Sequence, residues 1–380
     1  MSARGGRASP RRGGTRRVRV SLGERSYPIQ IGLGTLSAVG AAIARHAETR
    51  HALVVTEAAI GRRYAGKLTR SLREAGIRAD RIDVPQGDSS KNLRQVQRLY
   101  DAFLERRADR SSVVVALGGG MVGDLAGFAA ASFLRGLAFV QVPTTLLAMV
   151  DSSVGGKVGV NLPQGKNLVG AFHQPKLVWI DAATLSSLPA RERAAGLAEV
   201  IKKAAIWDAD LFARLERDAE AILDLDPARL LPVLERACAI KAAVVSRDER
   251  ESGPRMLLNF GHTLAHAAEA LTRYRKLLHG EAVAMGMVYA ARRSEGLGLA
   301  AAGTADRIAA LAQRVGLPVE LPPFPRRAYL SALRVDKKMR DSRIRYVVLR
   351  EIGRAETVPL TPAEILPAAG WARRAVRTSG

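Results

Sequence analysis

The sequence predicts an α/β N-terminal nucleotide-binding domain of Rossmann type, followed by an all-α C-terminal domain. Three observations support this fold class. Seven short β-branched runs alternate with helical segments in the first half, two of those runs are apolar throughout, and alanine-rich helical segments dominate after Pro189. With 380 residues, 47% of them hydrophobic, the chain has enough apolar material for a core in each domain. We place the α/β domain at residues 18–187 and the helical domain at residues 188–380.

The strands predicted for the first domain are its short β-branched runs. They are Val18–Leu22, Ile29–Gly32, Ala52–Thr56, Arg81–Val84, Val113–Leu117, Ala138–Val142 and Leu177–Asp181. Val113–Leu117 and Ala138–Val142 are almost wholly apolar, as expected of parallel strands that are buried on both faces. Helical segments such as Gly61–Ala75 and Leu93–Glu105 lie between the strands.

The second domain consists of long alanine-rich segments with helical periodicity. They are Arg191–Ile206, Ala209–Leu223, Ala228–Arg247, Leu257–Ala270 and Glu281–Glu295. Only Ile344–Leu349 and Glu356–Val358 resemble strands, and together they predict one small hairpin.

The formal net charge is +23, from 59 lysines and arginines against 36 acids. Residues 1–17 carry six of the arginines and no acid, and we predict that they form a disordered basic tail. An arginine-rich targeting peptide is the alternative. The remaining net charge of +17 is scattered along the rest of the chain. Aromatic residues make up only 5% of the chain, so few side chains are available to stack on nucleic-acid bases. The charge therefore favours anionic small substrates, and we expect no nucleic-acid partner.

The single cysteine, Cys238, excludes an internal disulfide framework and any cysteine-based zinc or iron–sulfur site. A reducing compartment, the cytoplasm, is therefore expected. No run of 18 uncharged apolar residues is present, which excludes a transmembrane helix. The N-terminus also lacks the apolar region of a secretory signal.

A glycine-rich loop follows the strand Val113–Leu117 and precedes a helix predicted over Leu125–Phe133. It reads Gly118-Gly119-Gly120-Met121-Val122-Gly123-Asp124 and contains the pattern G-x-G-x-x-G. Glycines let the backbone approach a pyrophosphate, and the helix N-terminus offers unpaired N–H groups. The acid that normally binds ribose about 20 residues later is absent, so this is not the standard dinucleotide fingerprint. A tight turn without a ligand is the alternative.

A second loop, between Asp151 and Asn167, is rich in glycine and lysine. Lys157, Lys166 and Asn167 could converge there on phosphate or hydroxyl oxygens. Thr144 and Thr145 end the preceding strand and place two hydroxyls where open α/β sheets bind ligands. The alternative is a solvated surface loop.

Three of the six histidines lie between residues 259 and 279. His262 and His266 stand at i and i+4 of one predicted helix and share a face. Spacing alone nominates them as a metal-ligand pair, with His279 or Glu199 as the third ligand. The alternatives are two helix-face histidines and, for Glu199, an i,i+3 surface ion pair with Lys202.

Further basic and amide residues would add anion or hydroxyl contacts if the two domains face each other. They are Lys241, Arg255, Asn259, Lys337 and Lys338. For Lys337 and Lys338, a solvated surface is the alternative.

Taken together, these motifs resemble the 3-dehydroquinate synthase family over about residues 18–360. The matching segments include Gly118–Asp124, Phe133–Gly136, Val142–Ala148, Asp151–Lys157, Gly165–Asn167, Ala171–Pro175, Ala198–Lys202, Leu258–Thr263, His279–Val283 and Asp336–Lys338. The resemblance implies a dehydroquinate synthase-like fold with NAD on the first domain and a divalent metal, zinc or alternatively cobalt, on the second. It implies conversion of 3-deoxy-D-arabino-heptulosonate 7-phosphate to 3-dehydroquinate and phosphate in the shikimate pathway.

The chemistry implied by the resemblance is redox-neutral. Transient oxidation of the C5 hydroxyl acidifies C6–H, phosphate is eliminated, C5 is reduced again, and ring opening and an intramolecular aldol closure follow. The resemblance also implies a homodimer in which Arg135 reaches the neighbouring subunit's substrate phosphate.

The resemblance assigns site residues position by position. The implied metal ligands are Glu199, His262 and His279, which overrides the pairing of His262 with His266 and leaves His266 to handle protons. The implied NAD contacts are Asp88, Lys91, Gly119, Gly120, Met121, Val122, Gly123, Asp124, Thr144, Thr145, Asp151, Lys157, Lys166, Thr184, Leu185 and Ser187. The implied substrate contacts are Arg135, Lys157, Asn167, Lys202, Lys241, Arg255, Asn259, His266 and Lys337 or Lys338. The residues expected to act in catalysis are His266, Lys202, Asp151 and Asn259.

The sequence departs from the family at two adenosine contacts. Glu57 stands where Asp or Asn is common, and Asp88 stands where Glu is usual. Both positions keep a polar side chain but change its reach.

Three other functions are alternatives to the synthase activity that the resemblance implies. Another sugar-phosphate cyclase, such as 2-deoxy-scyllo-inosose synthase, would share the fold and both cofactors, but its substrate lacks the carboxylate that Lys241, Arg255 and Asn259 favour. A metal-dependent polyol or glycerol-phosphate dehydrogenase should lack the Asp151–Lys157 loop and would release NADH stoichiometrically. The third alternative is a non-enzymatic nucleic-acid binder, and the set of candidate metal ligands argues against it.

Overall fold

The first half of the chain folds around a seven-stranded sheet and one separate hairpin in this computed structural model, which describes residues 15–251, 253–334, 339–340 and 342–367. The strands are β1 (Arg16–Val20), β2 (Tyr27–Gly32), β3 (His51–Glu57), β4 (Arg78–Val84), β5 (Val113–Gly118), β6 (Ala138–Pro143), β7 (Lys157–Leu162), β8 (Gly165–Phe172) and β9 (Leu177–Asp181). The order in the sheet is β1-β2-β9-β6-β5-β3-β4, while β7 and β8 pair only with each other among the described strands.

Six strands of the large sheet run parallel, and only β1 is antiparallel to its neighbour. Every residue of β5 is buried, as its apolar run predicts. The helices of this half are α1 (Val39–Ala47), α2 (Ala58–Ile60), α3 (Gly66–Glu74), α4 (Leu93–Glu105) and α5 (Gly120–Ser132). Helices α1 and α3 cover one face of the sheet and α4 and α5 cover the other.

The chain changes sides of the sheet between β3 and β5. Helix α3 leads from β3 to β4 across one face, and α5 leads from β5 to β6 across the other. Adjacent strands whose connections leave on opposite faces open a crevice at their carboxyl ends. The glycines that follow β5 lie at this crevice.

Two predictions for the first half need correction. Strand β1 begins at Arg16, where Arg16 and Arg17 pair with Ile31 and Gln30, so ordered structure starts before the predicted end of the tail at residue 17. Residues 1–14 lie outside the described part of the chain. The segment read as a loop up to Asn167 contains β7 and the start of β8, because antiparallel pairing satisfies its backbone.

The second half is helical, as predicted. Its helices are α6 (Ala190–Trp207), α7 (Ala209–Leu223), α8 (Pro227–Arg247), α9 (His262–Leu271), α10 (His279–Gly296), α11 (Thr304–Arg314), α12 (Arg326–Arg334) and α13 (Pro362–Ile365). None of the helices in the described ranges is long and apolar enough to cross a membrane.

The predicted hairpin forms part of a three-stranded antiparallel sheet. Its strands are β10 (Met339–Arg340), β11 (Arg343–Glu351) and β12 (Arg354–Leu360). Strand β11 packs against α10, and β12 packs against α6. The second half is therefore not helical throughout.

One hydrophobic core spans the junction between the halves. It joins Ile29 of β2 and Ile180 of β9 to Leu197 and Ile201 of α6. The halves are packed together at this junction, so the division at residues 187 and 188 stays a prediction.

Candidate active site

The glycine loop joins β5 to α5 through a single residue, Gly119. Gly118 ends the strand, and Gly119 precedes the helix without a capping side chain. A Cβ placed on Gly119 would lie 3.1 Å from Thr145 Cγ2, and one on Gly120 would lie 2.9 Å from Ser152 Oγ. Only glycine therefore keeps this backbone open in front of a helix N-terminus. Such an arrangement fits the pyrophosphate of a dinucleotide.

A polar network beside this loop contains four of the residues predicted to hold the cofactor, Asp88, Lys91, Asp124 and Lys166. The Lys91 ammonium is 5% exposed and donates to Asp124 and Asn167. Burial raises the pKa of Asp124, and the charge of Lys91 opposes that rise. Asp88 lies 2.9 Å from the Lys166 ammonium. The two lysines are thus already oriented by acids or amides of the same region.

The two residues that depart from the family pattern lie close together. The carboxylate of Glu57, at the end of β3, accepts a 3.4 Å hydrogen bond from the N–H of Gly87, which precedes Asp88. Burial raises the pKa of Glu57. Glu57 at the end of β3 and Asp88 in the turn after β4 thus bring two carboxylates to this edge of the sheet.

Asp151 is the centre of a buried charge cluster. It lies in the π-helical turn Ala148–Ser152, where its Oδ1 is 2.7 Å from Lys241 Nζ on α8 and 3.0 Å from Lys203 Nζ on α6. Burial opposes ionisation, but Lys241, Lys203 and Lys202 hold the pKa of Asp151 well below its usual range. Burial lowers the pKa of Lys241 to about 8, even though Asp151 opposes the change.

Glu199 on α6 meets His262 on α9 and His279 on α10. Their ligand atoms all lie within 4.8 Å of one another, and Glu199 Oε1 is 3.6 Å from His262 Nε2 and 3.7 Å from His279 Nε2. Ligands of a tetrahedral zinc with bonds of about 2.0–2.1 Å are separated by about 3.4 Å.

The Glu199 carboxylate is 1% exposed, and neither oxygen accepts a hydrogen bond from the described residues. Lys202 Nζ lies 2.5 Å from Oε2 and supplies charge without hydrogen-bond geometry. A buried carboxylate with unused lone pairs that faces two imidazoles fits a divalent cation.

His266, which spacing alone would choose as a ligand, lies outside this group. It is exposed, and its ring centroid is 5.5 Å from that of His262. His279 Nδ1 instead lies 3.3 Å from Glu269 Oε1, and His262 Nδ1 lies 3.2 Å from the carbonyl of Phe260. These partners turn both Nε2 atoms towards Glu199, as carbonyl and carboxylate partners do for metal-bound histidines.

The two histidines have opposite protonation preferences. Burial and repulsion from Lys202 lower the pKa of His262 well below its usual value. Burial also tends to lower the pKa of His279, but the neighbouring carboxylates of Glu199 and Glu269 outweigh burial and raise the pKa to about 10. The carboxylates around the site thus favour a cation at this position.

Two of the predicted substrate contacts, Lys157 and Asn259, meet at a residue that sequence reasoning missed. Lys157 pairs with the carboxylate of Glu251, and Asn259 Nδ2 donates to its Oε1 at 2.8 Å. Arg255 is 2% exposed and lies 3.3 Å from the Gly155 carbonyl through Nη2. A carboxylate therefore lies between two groups that the sequence assigned to an anion.

Several predicted residues lie elsewhere or outside the described ranges. Arg135 is exposed and follows Leu134 in a left-handed stretch, with φ of 66° and 48°. Thr184, Leu185 and Ser187 belong to the 3-10 turn Ala182–Ser187, where Leu185 is wholly buried and the Tyr64 hydroxyl donates to Ser187. That turn borders a cavity of about 550 Å³ that is lined also by Lys67 and Arg70. Lys337 and Lys338 lie outside the described residues.

Three side chains of the site, one of which is Glu251, were missed by sequence reasoning. Glu269 stands seven residues after His262, and Lys203 stands four residues after Glu199, so helical periodicity could have placed each on the relevant face. Glu251 gave no such signal, because it approaches Lys157 through a loop. Its position depends on how the two halves pack together.

Comparison with known proteins places these features in one family. The family model described as 3-dehydroquinate synthase N-terminal matches residues 81–195, and the model described as 3-dehydroquinate synthase C-terminal matches residues 196–339. A 3-dehydroquinate synthase of Citrifermentans bemidjiense is 48% identical over 89% of this chain and 93% of its own length. One from a Synechococcus species is 49% identical over 92% of this chain and 96% of its own length.

Solved structures of related cyclases share the fold. A 2-epi-5-epi-valiolone synthase from Streptomyces hygroscopicus subsp. jinggangensis, with NAD⁺ and Zn²⁺ bound, has a TM-score of 0.84 at 30% identity and covers 94% of this chain and 99% of its own. A 2-deoxy-scyllo-inosose synthase complexed with carbaglucose-6-phosphate, NAD⁺ and Co²⁺ has a TM-score of 0.82 at 25% identity, with coverages of 92% and 98%. The two family models together match residues 81–339, and the curated relatives cover most of the chain, so this chain belongs to the 3-dehydroquinate synthase family.

Proposed function

We infer that this chain is a 3-dehydroquinate synthase, an enzyme of the shikimate pathway towards aromatic amino acids. It converts 3-deoxy-D-arabino-heptulosonate 7-phosphate into 3-dehydroquinate and phosphate. The observation that carries this conclusion is the convergence of Glu199, His262 and His279 beside a lysine-rich cluster, in a chain that both family models match.

The proposed cofactors are NAD and a divalent metal, zinc or cobalt. When bound, NAD⁺ supplies a reversible hydride acceptor for the substrate's C5 hydroxyl, and the metal polarises that hydroxyl. Glu199, His262 and His279 would hold the metal, and Glu269 would orient His279. The related cyclases with NAD⁺ and Zn²⁺ or Co²⁺ bound support this assignment.

The dinucleotide would occupy the crevice in front of α5. The backbone of Gly119 and Gly120 would face the pyrophosphate, while Asp88 and Lys91 would face the adenosine ribose. The other proposed contacts are Met121, Val122, Gly123, Asp124, Thr144, Thr145, Asp151, Lys157, Lys166, Thr184, Leu185 and Ser187. Thr144 Oγ1 is buried without a hydrogen-bond partner among the described residues, which leaves it free to bond a ligand.

The substrate would be held by its two anionic ends. Lys157 and Asn167 are proposed to bind the phosphate, and Lys241, Arg255 and Asn259 the carboxylate. Lys202 beside Glu199 is proposed to contact the reacting hydroxyl. His266, exposed on the face of α9 next to His262, is proposed to carry protons during elimination and ring opening.

We further propose a cytoplasmic homodimer. Leu134, which precedes Arg135, and Leu168 and Phe172 of β8 are each exposed by 40% or more. An apolar surface of this kind is typical of a subunit interface. It supports a role for Arg135 at the neighbouring subunit's phosphate site.

Phosphate release from 3-deoxy-D-arabino-heptulosonate 7-phosphate, with zinc and substoichiometric NAD⁺, tests the proposed function. Many phosphates per NAD⁺ without lasting absorbance from NADH are expected, since the cycle regenerates its oxidant. Phosphate release from glucose 6-phosphate alone would instead identify a different sugar-phosphate cyclase. Accumulation of NADH without phosphate would identify a simple dehydrogenase.

A further inference from the structure

Lys203 on α6 is a cation with no access to solvent. Its side chain is 0% exposed, its Nζ donates to the carbonyl of Val150 at 2.8 Å, and the same Nζ lies 3.0 Å from Asp151 Oδ1. A buried ammonium is costly unless it is both paired and hydrogen-bonded. Both partners of Lys203 belong to one turn, Ala148–Ser152. Lys203 therefore ties α6 to the segment that carries Asp151.

A second tether on the same turn carries no charge. Cys238 on α8 is wholly buried, and its Sγ lies 3.4 Å from the carbonyl of Met149. Burial raises the pKa of Cys238 to about 12, so the thiol stays neutral near pH 7. The turn is thus anchored by one charged and one neutral side chain. The two anchors can be removed separately.

Lys203 also shares its carboxylate oxygen with Lys241. Asp151 Oδ1 is 3.0 Å from Lys203 Nζ and 2.7 Å from Lys241 Nζ. One carboxylate thus divides its charge between two ammonium groups. The Lys203 side chain is 0% exposed and has no route to a ligand, whereas that of Asp151 is 26% exposed and that of Lys241 is 7% exposed.

We propose that Lys203 is a positioning residue for the reaction: it fixes the Asp151 carboxylate and thereby keeps the Lys241 ammonium available to the anionic substrate. The proposal rests on the proposed function. Lys203 acts only through its neighbours, because its buried side chain cannot touch substrate. Without it, Asp151 would be neutralised mainly by Lys241, which would be drawn away from the ligand.

The charges around Lys241 give this role a measurable signature. Asp151 faces it from the turn, Lys203 from α6, Arg255 from the segment before α9, Asp124 from α5 and Cys238 from its own helix. After burial, which lowers the pKa of Lys241 to about 8, Asp151 raises it and Lys203 lowers it. Removal of the Lys203 charge therefore raises the pKa of Lys241. The charged form would then persist to higher pH.

The test compares Lys203→Met with Cys238→Ala as the matched control, both in the full chain reconstituted with zinc and NAD⁺. Steady-state kcat and KM for the heptulosonate phosphate are measured across the neutral and alkaline range, and Tm is measured in parallel. For Lys203→Met we expect KM at pH 7 to rise about tenfold, as for one weakened charge-assisted contact. The alkaline limit of kcat/KM should also move to higher pH. Cys238→Ala should lower Tm and leave both kinetic quantities unchanged.

A lower Tm for Lys203→Met with an unchanged KM and alkaline limit would overturn the proposal, because Lys203 would then serve stability alone. If Lys203→Met does not fold, Lys203→Gln, which keeps a donor for the Val150 carbonyl, is held to the same two criteria. Wild-type phosphate release is measured first. If the proposed function is wrong, the wild-type protein releases no phosphate. If only the role of Lys203 is wrong, the wild-type protein releases phosphate and the variant has the same KM and the same alkaline limit.

Discussion

The glycine loop before α5 and the buried ion cluster around Asp151 and Glu199 are two parts of one site built in opposite ways. At Gly118–Gly120 the chain leaves out side chains, so that the backbone and a helix N-terminus face the ligand. In the cluster, charged side chains from α6, α8, α9, α10 and the turn Ala148–Ser152 converge with little exposure.

This difference predicts different responses to mutation. An added methyl group in the loop obstructs a ligand and leaves the remaining backbone contacts in place. Removal of one charge from the cluster leaves its partner buried and uncompensated, which costs far more than an obstructed contact. Substitutions in the cluster should therefore reduce activity more than substitutions in the loop. They should also weaken metal binding more than loop substitutions weaken dinucleotide binding.

The largest effect is expected for His262→Ala. Loss of one of three ligands should abolish metal binding and turnover, with activity at least about 10³-fold down because the polarising cation is lost. Metal content by mass spectrometry and phosphate release check this. His266→Ala is the comparison variant and should keep its metal while losing rate. The ligand assignment would be reversed if His266→Ala lost its metal while His262→Ala kept the full amount of bound metal.

Glu269→Gln should have the next largest effect. Its carboxylate lies 3.3 Å from His279 Nδ1, and loss of such a partner typically costs about 10–100-fold in metal affinity or activity. Competition with a chromophoric chelator gives the zinc affinity. Glu220→Gln, which alters an exposed ion pair with Arg314, is the control. Equal zinc affinities in the two variants would contradict an orienting role.

Gly120→Ala tests the loop side of the comparison. The new Cβ would lie 2.9 Å from Ser152 Oγ and narrow the approach to the backbone, so NAD⁺ should bind about tenfold more weakly, equivalent to about 1.4 kcal/mol. Zinc content should stay unchanged. Gly66→Ala, at a helix position with open space around its Cβ, is the matched control. An unchanged NAD⁺ affinity, measured by calorimetry, would remove the loop from the proposed cofactor site.

The smallest effect is expected for Glu251→Gln, and it is a gain. Its carboxylate holds Lys157 and Asn259, two of the side chains that are proposed to bind the anionic groups of the substrate. With that charge gone, KM should fall by about three- to tenfold while kcat changes little, since about 1 kcal/mol of competing interaction is removed. Steady-state kinetics and inhibition by inorganic phosphate measure this. A fall in kcat at constant KM would show instead that Glu251 moves protons.

The fold class, the buried strands β5 and β6, the long helices of the second half and the glycine loop could be predicted from the sequence. These features depend on local periodicity and on residue types with strong local backbone preferences, so neighbouring positions are enough to predict them. Motif resemblance added the family. It also named the residues that approach one another at Glu199.

The tertiary structure settled contacts that spacing and periodicity left open, although the resemblance had already named those at Glu199. It joined His279 to Glu199 and left His266 outside, it ordered Arg16 and Arg17 in β1, and it paired Lys157 with Glu251. It also placed both Lys203 and Lys241 on one oxygen of Asp151. Those contacts join residues far apart in the chain, and their energies depend on burial and on the distance between charges, which are set only when the helices pack against the sheet.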